Sequence, residues 1–496
     1  MKRRQFLESA AAAIFARAAS GQTKDLEEAT IADLSALSAF RLTEYYLARI
    51  RDVDPALRSV IEINPDALNI AADLDRAPKR GPLHGMPVLI KDNIDTADKM
   101  QTTAGSLALL DAPPPRDAGV VARLRAAGAV ILGKTNLSEW ANFRCSRSVS
   151  GWSGRGGQTR NPYALDRTPC GSSSGSGAAV SANLCVAAVG TETDGSIVCP
   201  SSINGIVGIK PTVGLLSGRG IIPIGHSQDT AGPMARTVRD AAILLGAMAE
   251  GPHAQRDYTK FLAVEGLRGA RLGVARKFFE LGPDVQRLME GALARMKELG
   301  ATLVDPADLP SYGKYDTSEN IVLQFEFKND LNAYLETRKT TLTLDRLINF
   351  NEQHRREEMP YFEQDIFVES QQRGTLTEPA YLSALSGNLR MARANGIDAL
   401  LKKFRLDAIV APTTGPAWLI DWVTGDHDTG GCSTPAAVAG YPHITVPAGF
   451  IHGLPVGISF FGTAWNEPVL LRLAYGFEQA TQVRRPPRLL PTVEWG

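Results

Sequence analysis

Residues 283–305 carry the pattern that most narrows the fold. Apolar side chains at 285, 288, 289, 292, 296 and 299 repeat with helical spacing, Gly300 stops the helix, and residues 301–304 form a short strand. The same alternation recurs along the chain. Residues 119–127 read as a helix, followed by a strand at 130–132 that ends at Gly133-Lys134. The run Val88-Leu89-Ile90 is a buried strand that delivers Lys91-Asp92-Asn93 at its end, and 407–411 and 444–447 are further strands. Thr30-Ile31-Ala32-Asp33 opens a helix with a capping box, and Thr43 is expected to cap a second helix through Ile50. Strands alternating with amphipathic helices predict an α/β fold, a single large α/β/α domain with a mixed, twisted central sheet covered by helices. Length alone would suggest about three domains. No internal repeat or low-complexity linker divides the 496 residues, so one domain is assigned to 23–496. Residues 310–400 are more polar and helical, and are expected to form a lid or rim.

Composition removes several function classes. Lys+Arg and Asp+Glu both number 53, so no nucleic-acid partner is implied. No apolar run approaches the roughly 18 residues of a membrane span. The five cysteines (145, 170, 185, 199 and 432) are odd in number and scattered, which predicts free buried thiols. No pair has zinc-ligand spacing and the seven histidines form no HxxxH pair, so no metal is assigned. Asp426-His427-Asp428 lies in a Gly/Thr-rich loop and reads as a solvated turn. At the N-terminus, Arg3-Arg4-Gln5-Phe6-Leu7 precedes a weakly apolar run and small residues. This resembles a twin-arginine export signal over 1–22 and predicts a periplasmic or extracellular protein. Glu8 and Arg17 interrupt the apolar region, and the alternative is a short amphipathic helix on a cytoplasmic protein.

Three motifs carry the chemistry: GMPVLIKDN at 85–93, CGSSSGSG at 170–177 and GTETDGSIVCP at 190–200. The serine-rich loop lacks the GK[ST] of a phosphate-binding loop and the third glycine of a dinucleotide loop. Gly171-Ser172-Ser173-Ser174-Gly175 matches the GxSxG of a nucleophile elbow, which would make Ser173 the nucleophile with His427, His443 or His452 as base. That elbow needs a strand before it, and residues 161–169 have loop chemistry instead.

KDNIDTADKMQTTAGS (91–106), the serine-rich loop, GTETDGSIVCPSSINGIVGIKPTVG (190–214), SQDTAGPMAR (227–236) and AGYPHITVPAG (439–449) together resemble the amidase signature family. The resemblance runs from about residue 25 to the end. GTETDGSIVCP and QFEFKNDLNAYLE (324–336) are most similar to the bacterial peptide amidases. The resemblance implies a Ser-cisSer-Lys triad. Its nucleophile falls on Ser196, its bridging serine beside a cis peptide bond on Ser172, and its base on Lys91. The oxyanion hole would use backbone N–H groups of Thr193, Asp194, Gly195 and Ser196, with Ser173 and Asp229 in support and no cofactor. Gly232, Pro233 and Arg236 receive a structural role. The family's usual turn reads TDTGGS, whereas here Glu192 replaces an aspartate and Asp194 a glycine. Cys170, Ser174 and Gly177 likewise stand where glycine, glycine and alanine are usual.

A serine hydroxyl needs a base in reach, and a lysine serves only if it is neutral. Lys91 follows an apolar strand, where burial lowers the amine's pKa from its ordinary value near 10.4. Alone, a lysine at a strand end is usually a solvated charge; its company with the two serine motifs reverses that. The expected activity is hydrolysis of a carboxamide, a C-terminal peptide amide, with release of ammonia. Other amidase-family substrates (aryl, fatty or amino-acid amides) and an amidotransferase subunit are the alternatives. The last would act on tRNA in the cytoplasm, against the export signal. A decayed, non-catalytic binding protein would not retain all three triad positions. The partner expected is a small-molecule or peptide amide, and the oligomeric state stays open.

Overall fold

Short apolar runs form the strands, and their order sets the sheet. The computed structural model describes residues 26–253 and 256–495, so the proposed export segment lies outside the described residues. Along the chain the strands are β1 (Val60–Ile63), β2 (Pro87–Lys91), β3 (Val130–Thr135), β4 (Trp152–Ser153), β5 (Gly157–Gln158), β6 (Ala187–Glu192) and β7 (Val207–Lys210). They continue as β8 (Thr230–Ala235), β9 (Arg271–Val274), β10 (Thr302–Val304), β11 (Ala408–Pro412), β12 (His443–Ile451) and β13 (Leu454–Phe461). Eleven of them make one sheet in the order β1-β3-β2-β6-β8-β7-β12-β13-β11-β9-β10, while β4 and β5 form a separate hairpin. β2 runs parallel to β3 and β6, β9 runs parallel to β10 and β11, and the remaining pairs are antiparallel. The sheet is therefore mixed, as the alternating pattern predicts.

β2, β3 and β6 are buried at every position, as expected of strands covered on both faces. The helices Ala39–Leu57, Gly119–Ala126, Val238–Met248, Pro283–Glu298 and Glu467–Thr481 share one apolar core with these strands. Pro283–Glu298 buries Val285, Met289, Ala292 and Met296 of the predicted stripe. Arg236 is buried and donates to the carbonyls of Val180, Cys185 and Ala29, fastening a core helix to the entry of β6 and to the start of the described chain. The segment 310–400 is mostly helical, led by Asp316–Thr337 and followed by Leu344–Gln353, Asp365–Gln371 and Pro379–Ala392. No helix among the described residues is long and apolar enough to cross a membrane.

Two expectations are corrected. Thr43 does not cap a helix: it is buried inside Ala39–Leu57, whose N-cap is Ser38. The Ser38 hydroxyl accepts from Arg41 N–H, and the Asp75 carboxylate accepts from the N–H groups of Ala39 and Phe40, satisfying the first turn from outside the local sequence. Nor are all five cysteines free. Cys145, Cys185 and Cys432 are buried thiols, but Cys170 and Cys199 form a disulfide. They lie 29 residues apart, and only the fold brings the serine-rich loop against the helix Val198–Ile203.

Candidate active site

The site forms at the carboxyl ends of the parallel neighbours β2 and β6, the edge where open α/β sheets place their ligands. Lys91 is the last residue of β2 and is fully buried. Its Nζ lies 2.8 Å from Ser172 Oγ, 3.0 Å from Ser173 Oγ and 2.9 Å from Thr191 Oγ1. Desolvation holds the amine well below the usual lysine range, against the pull of the Asp229 and Glu192 carboxylates. A buried amine surrounded by hydroxyl groups can exchange a proton with one of them.

Ser172 and Ser173 close the serine-rich loop, and Ser173 is the N-cap of the buried helix Ser174–Ser181. The peptide bond between Gly171 and Ser172 is cis. Ser173 ties this loop to the rest of the site. Its hydroxyl donates to Thr191 O at 3.0 Å and accepts from Thr191 N at 3.2 Å, and its own N–H donates to Ser196 O at 3.2 Å. This approach depends on Gly190, because a Cβ there would meet Ser173 Oγ at 2.7 Å and Met234 Sδ at 2.8 Å.

Ser196 follows a tight turn at the end of β6. Gly195 has φ +78°, a conformation that favours glycine. Thr193, Asp194, Gly195 and Ser196 all line a cleft of about 870 Å³. Beneath the turn, the buried Glu192 accepts from Ile197 N at 2.7 Å and Val198 N at 3.0 Å. Burial raises this carboxyl, while Lys210 and the two amides oppose the rise. Asp229, also buried, accepts from Thr193 Oγ1 at 2.6 Å and from the N–H groups of Ile224 and Gly225. Burial pushes Asp229 up to about 7, against the hydrogen bonds from Thr193, Ile224 and Gly225. The disulfide links Cys170, two residues before Ser172, to Cys199, three residues after Ser196.

The structure thus brings Lys91, Ser172, Ser173 and the turn 193–196 to one place, with Asp229 under the turn. Two further residues were not singled out from the sequence. Thr191 accepts from Asn93 Nδ2 at 3.0 Å and shares its hydroxyl with Lys91, so both fix the amine's surroundings. Their sequence signal was position: each adjoins a strand end already assigned to the site. The histidines proposed for a Ser173 nucleophile are engaged elsewhere. His443 is buried, 2.6 Å from Ser459 Oγ, and pushed down to about 3 by burial and then Lys210. His427 contacts Asp421 and Thr424, and His452 packs on Trp495. Residues 161–169 before Ser173 contain no strand, only an isolated bridge at Ala164 and another at Arg167. Asp426 turns inward to Ser150 N and Trp418 Nε1 while His427 turns to Asp421, so this acidic triplet does not converge on one point. His226, Glu326 and Asp330 do bring ligand atoms within 4.8 Å of one another, where His226 and Asp330 form an ion pair at 2.8 Å.

The amidase family model matches residues 41–471. This chain is an amidase. Like the family it belongs to, it is an enzyme that hydrolyses amides. A crystallised peptide amidase in complex with the competitive inhibitor chymostatin is 51% identical to this amidase, covering 94% of it and 100% of the other chain, with a TM-score of 0.91. The native peptide amidase from Stenotrophomonas maltophilia is also 51% identical, over 94% of this amidase and 99% of its own chain, with a TM-score of 0.89. An Arabidopsis thaliana protein named "Probable amidase" is 41% identical over 500 residues, covering 94% of this amidase and 93% of its own length.

Proposed function

We propose that this amidase removes the C-terminal amide of peptides through an acyl-enzyme on Ser196. The observation that carries the reading is the buried Lys91 amine, 2.8 Å from Ser172 Oγ, in a loop fastened to Ser196. Lys91, neutral, takes the proton of Ser172 as Ser172 takes that of Ser196. Ser196 Oγ attacks the carboxamide carbon, and the oxyanion is held by backbone N–H groups of the 193–196 turn. Ser172 gives its proton to the leaving nitrogen and takes back the one held by Lys91, ammonia departs, and water releases the acid through the same relay. Ser173 and Asp229 position the loop and the turn without entering the transfer.

The peptidic acyl group is supported by the likeness to peptide amidases and by the extended cleft around Ser196. Ammonia release measured across peptide amides, free amino-acid amides, fatty amides and aryl amides tests it: peptide amides should give the highest kcat/KM. A clear preference for fatty or aryl amides would sink the reading.

Export to an oxidising compartment forms part of the same proposal. Arg3-Arg4 motivates it, and the Cys170–Cys199 disulfide supports it, since disulfides persist mainly outside the reducing cytosol. Fractionation should find the protein outside the cytoplasm, and replacing both arginines by lysine should retain it inside. Full-length protein confined to the cytoplasm in both cases would end this part.

A further inference from the structure

The described residues lining the cleft at Ser196 include six carboxylates, Asp194, Glu319, Asp365, Glu369, Asp426 and Asp428, and no lysine, arginine or histidine. They come from separate elements: the 193–196 turn, the helix Asp316–Thr337, the helix Asp365–Gln371 and the loop that ends at Ser433. A single solvated helix face would put them on one element. Here independent segments converge on one wall with one sign of charge.

Four of these groups are held by neutral partners. Asp365 accepts from Ser146 N at 3.1 Å, Glu369 from Gln324 Nε2 at 2.6 Å, Asp426 from Ser150 N at 3.1 Å and Asp428 from Gly430 N at 2.9 Å. None of the four forms an ion pair among the described residues. Burial works to raise Asp365, but hydrogen bonds from Cys145 and Ser146 more than offset it and hold the group below the usual carboxylate range. Burial does raise Asp426, against hydrogen bonds from Ser150 and Trp418. Glu369 and Asp428 are exposed and Asp365 is half-buried, so these three carboxylates face the open part of the cleft. A concave wall of one sign focuses its field into the cleft and concentrates ligands of the opposite sign.

We infer that this cleft selects amides whose acyl part is cationic: peptides bearing a free α-ammonium group together with lysine or arginine side chains. The inference rests on the catalytic role proposed for Ser196 and extends it to substrate charge. It also bears on turnover, because deamidation converts a neutral carboxamide into a carboxylate facing a negative wall. The product is expelled by the same field that draws the substrate in.

The test compares three peptide amides that differ at one residue: Gly-Lys-Leu-amide, Gly-Gln-Leu-amide and Gly-Glu-Leu-amide. At low ionic strength kcat/KM should fall in the order Lys, Gln, Glu by about tenfold per step, and the spread should shrink severalfold near about 1 M salt. The double variant Glu369→Gln, Asp428→Asn should lower the Lys-to-Glu ratio by about tenfold. An acidic substrate turned over as fast as the basic one at low salt would overturn the inference, as would a ratio unmoved by both salt and the variant. Calorimetric binding of the same peptides to Ser196→Ala separates the two claims. Selective binding of the lysine peptide with no turnover by the unaltered enzyme would remove the peptide-amidase reading and keep the charge selection. Turnover without charge selection in either measurement would do the reverse.

Discussion

Replacing Lys91 by methionine separates its chemistry from its contribution to the fold. Methionine keeps most of the side-chain volume and removes the amine. The Ser172 hydroxyl then loses the only hydrogen-bond partner it has among the described residues, at a cost of about 1–3 kcal/mol. Ser173 keeps Thr191 O, and Thr191 keeps Asn93. Against that cost, folding no longer has to strip water from an amine buried at 0% exposure. The net change in stability should be within about 2 kcal/mol of zero. Activity should fall by about 10⁴ in kcat/KM, because a lost general base costs on the order of 10²–10⁴ and the relay fails as a unit.

The pH dependence gives this prediction its sign. Burial holds Lys91 in the folded protein well below the ordinary lysine value of 10.5. Between the two values the unfolded chain holds a proton that the folded chain does not, so stability rises with pH across that window. The slope reaches up to about 1.4 kcal/mol per pH unit inside that window and falls away as the pH approaches 10.5. Lys134 and Lys210, both lowered to about 8 by burial, are present in both proteins and cancel in the difference. Urea unfolding of the two proteins at a series of alkaline pH values, with ammonia release measured alongside, reads both effects. The stability difference should grow in favour of the unaltered protein as pH rises, and the acid limb of its kcat/KM profile should be absent from Lys91→Met. A flat difference together with a retained acid limb would show that Lys91 is not the neutral base.

The serines give a complementary test. Ser196→Ala should eliminate the acyl-enzyme, Ser172→Ala should lose at least about 10³ in kcat, and the double variant should be no worse than Ser196→Ala; a serine-directed reagent labelling Ser173 instead would contradict the assignment. Glu192→Ala leaves the N–H groups of Ile197 and Val198 unpaired in the interior, so it should cost about 3–5 kcal/mol in chemical denaturation, whereas Glu192→Gln, which keeps one acceptor, should cost less than half of that. Cys170→Ser with Cys199→Ser opens a loop of 29 residues and should lower stability by about 3–4 kcal/mol, read as a shifted denaturant midpoint with an otherwise cooperative transition.

The parts of the fold that were legible in the sequence are those where local pattern and burial coincide. The stripe at 285, 289, 292 and 296 lies on one face of a helix, and that face is the one packed on the core. Val88-Leu89-Ile90 has no polar position to offer solvent, so it became an interior strand with Lys91 carried to its end. The features missed depend on segments distant in sequence. Ser38 caps its helix with the help of Asp75, which no reading of residues 38–43 contains. Cys170 and Cys199 meet only once β6 and its turn are in place. Glu192 stands where the usual family turn has an aspartate. The structure gives it a physical reason: the longer side chain reaches the first N–H groups beyond Ser196 and holds them from below.

The arrangement of strands divides the molecule into two inheritable parts. Lys91, Thr191 and the two serine loops are anchored to the interior strands β2 and β6 of the sheet. The outer wall of the cleft is built from residues 141–150, 319–324, 365–369 and 413–434, none of which belongs to those two strands. If Lys91 and the serines act as proposed, chemistry and recognition lie in separate stretches of the chain. Transplanting the rim segments of another amidase onto this sheet should move substrate preference as a block, with the proton relay carried over intact.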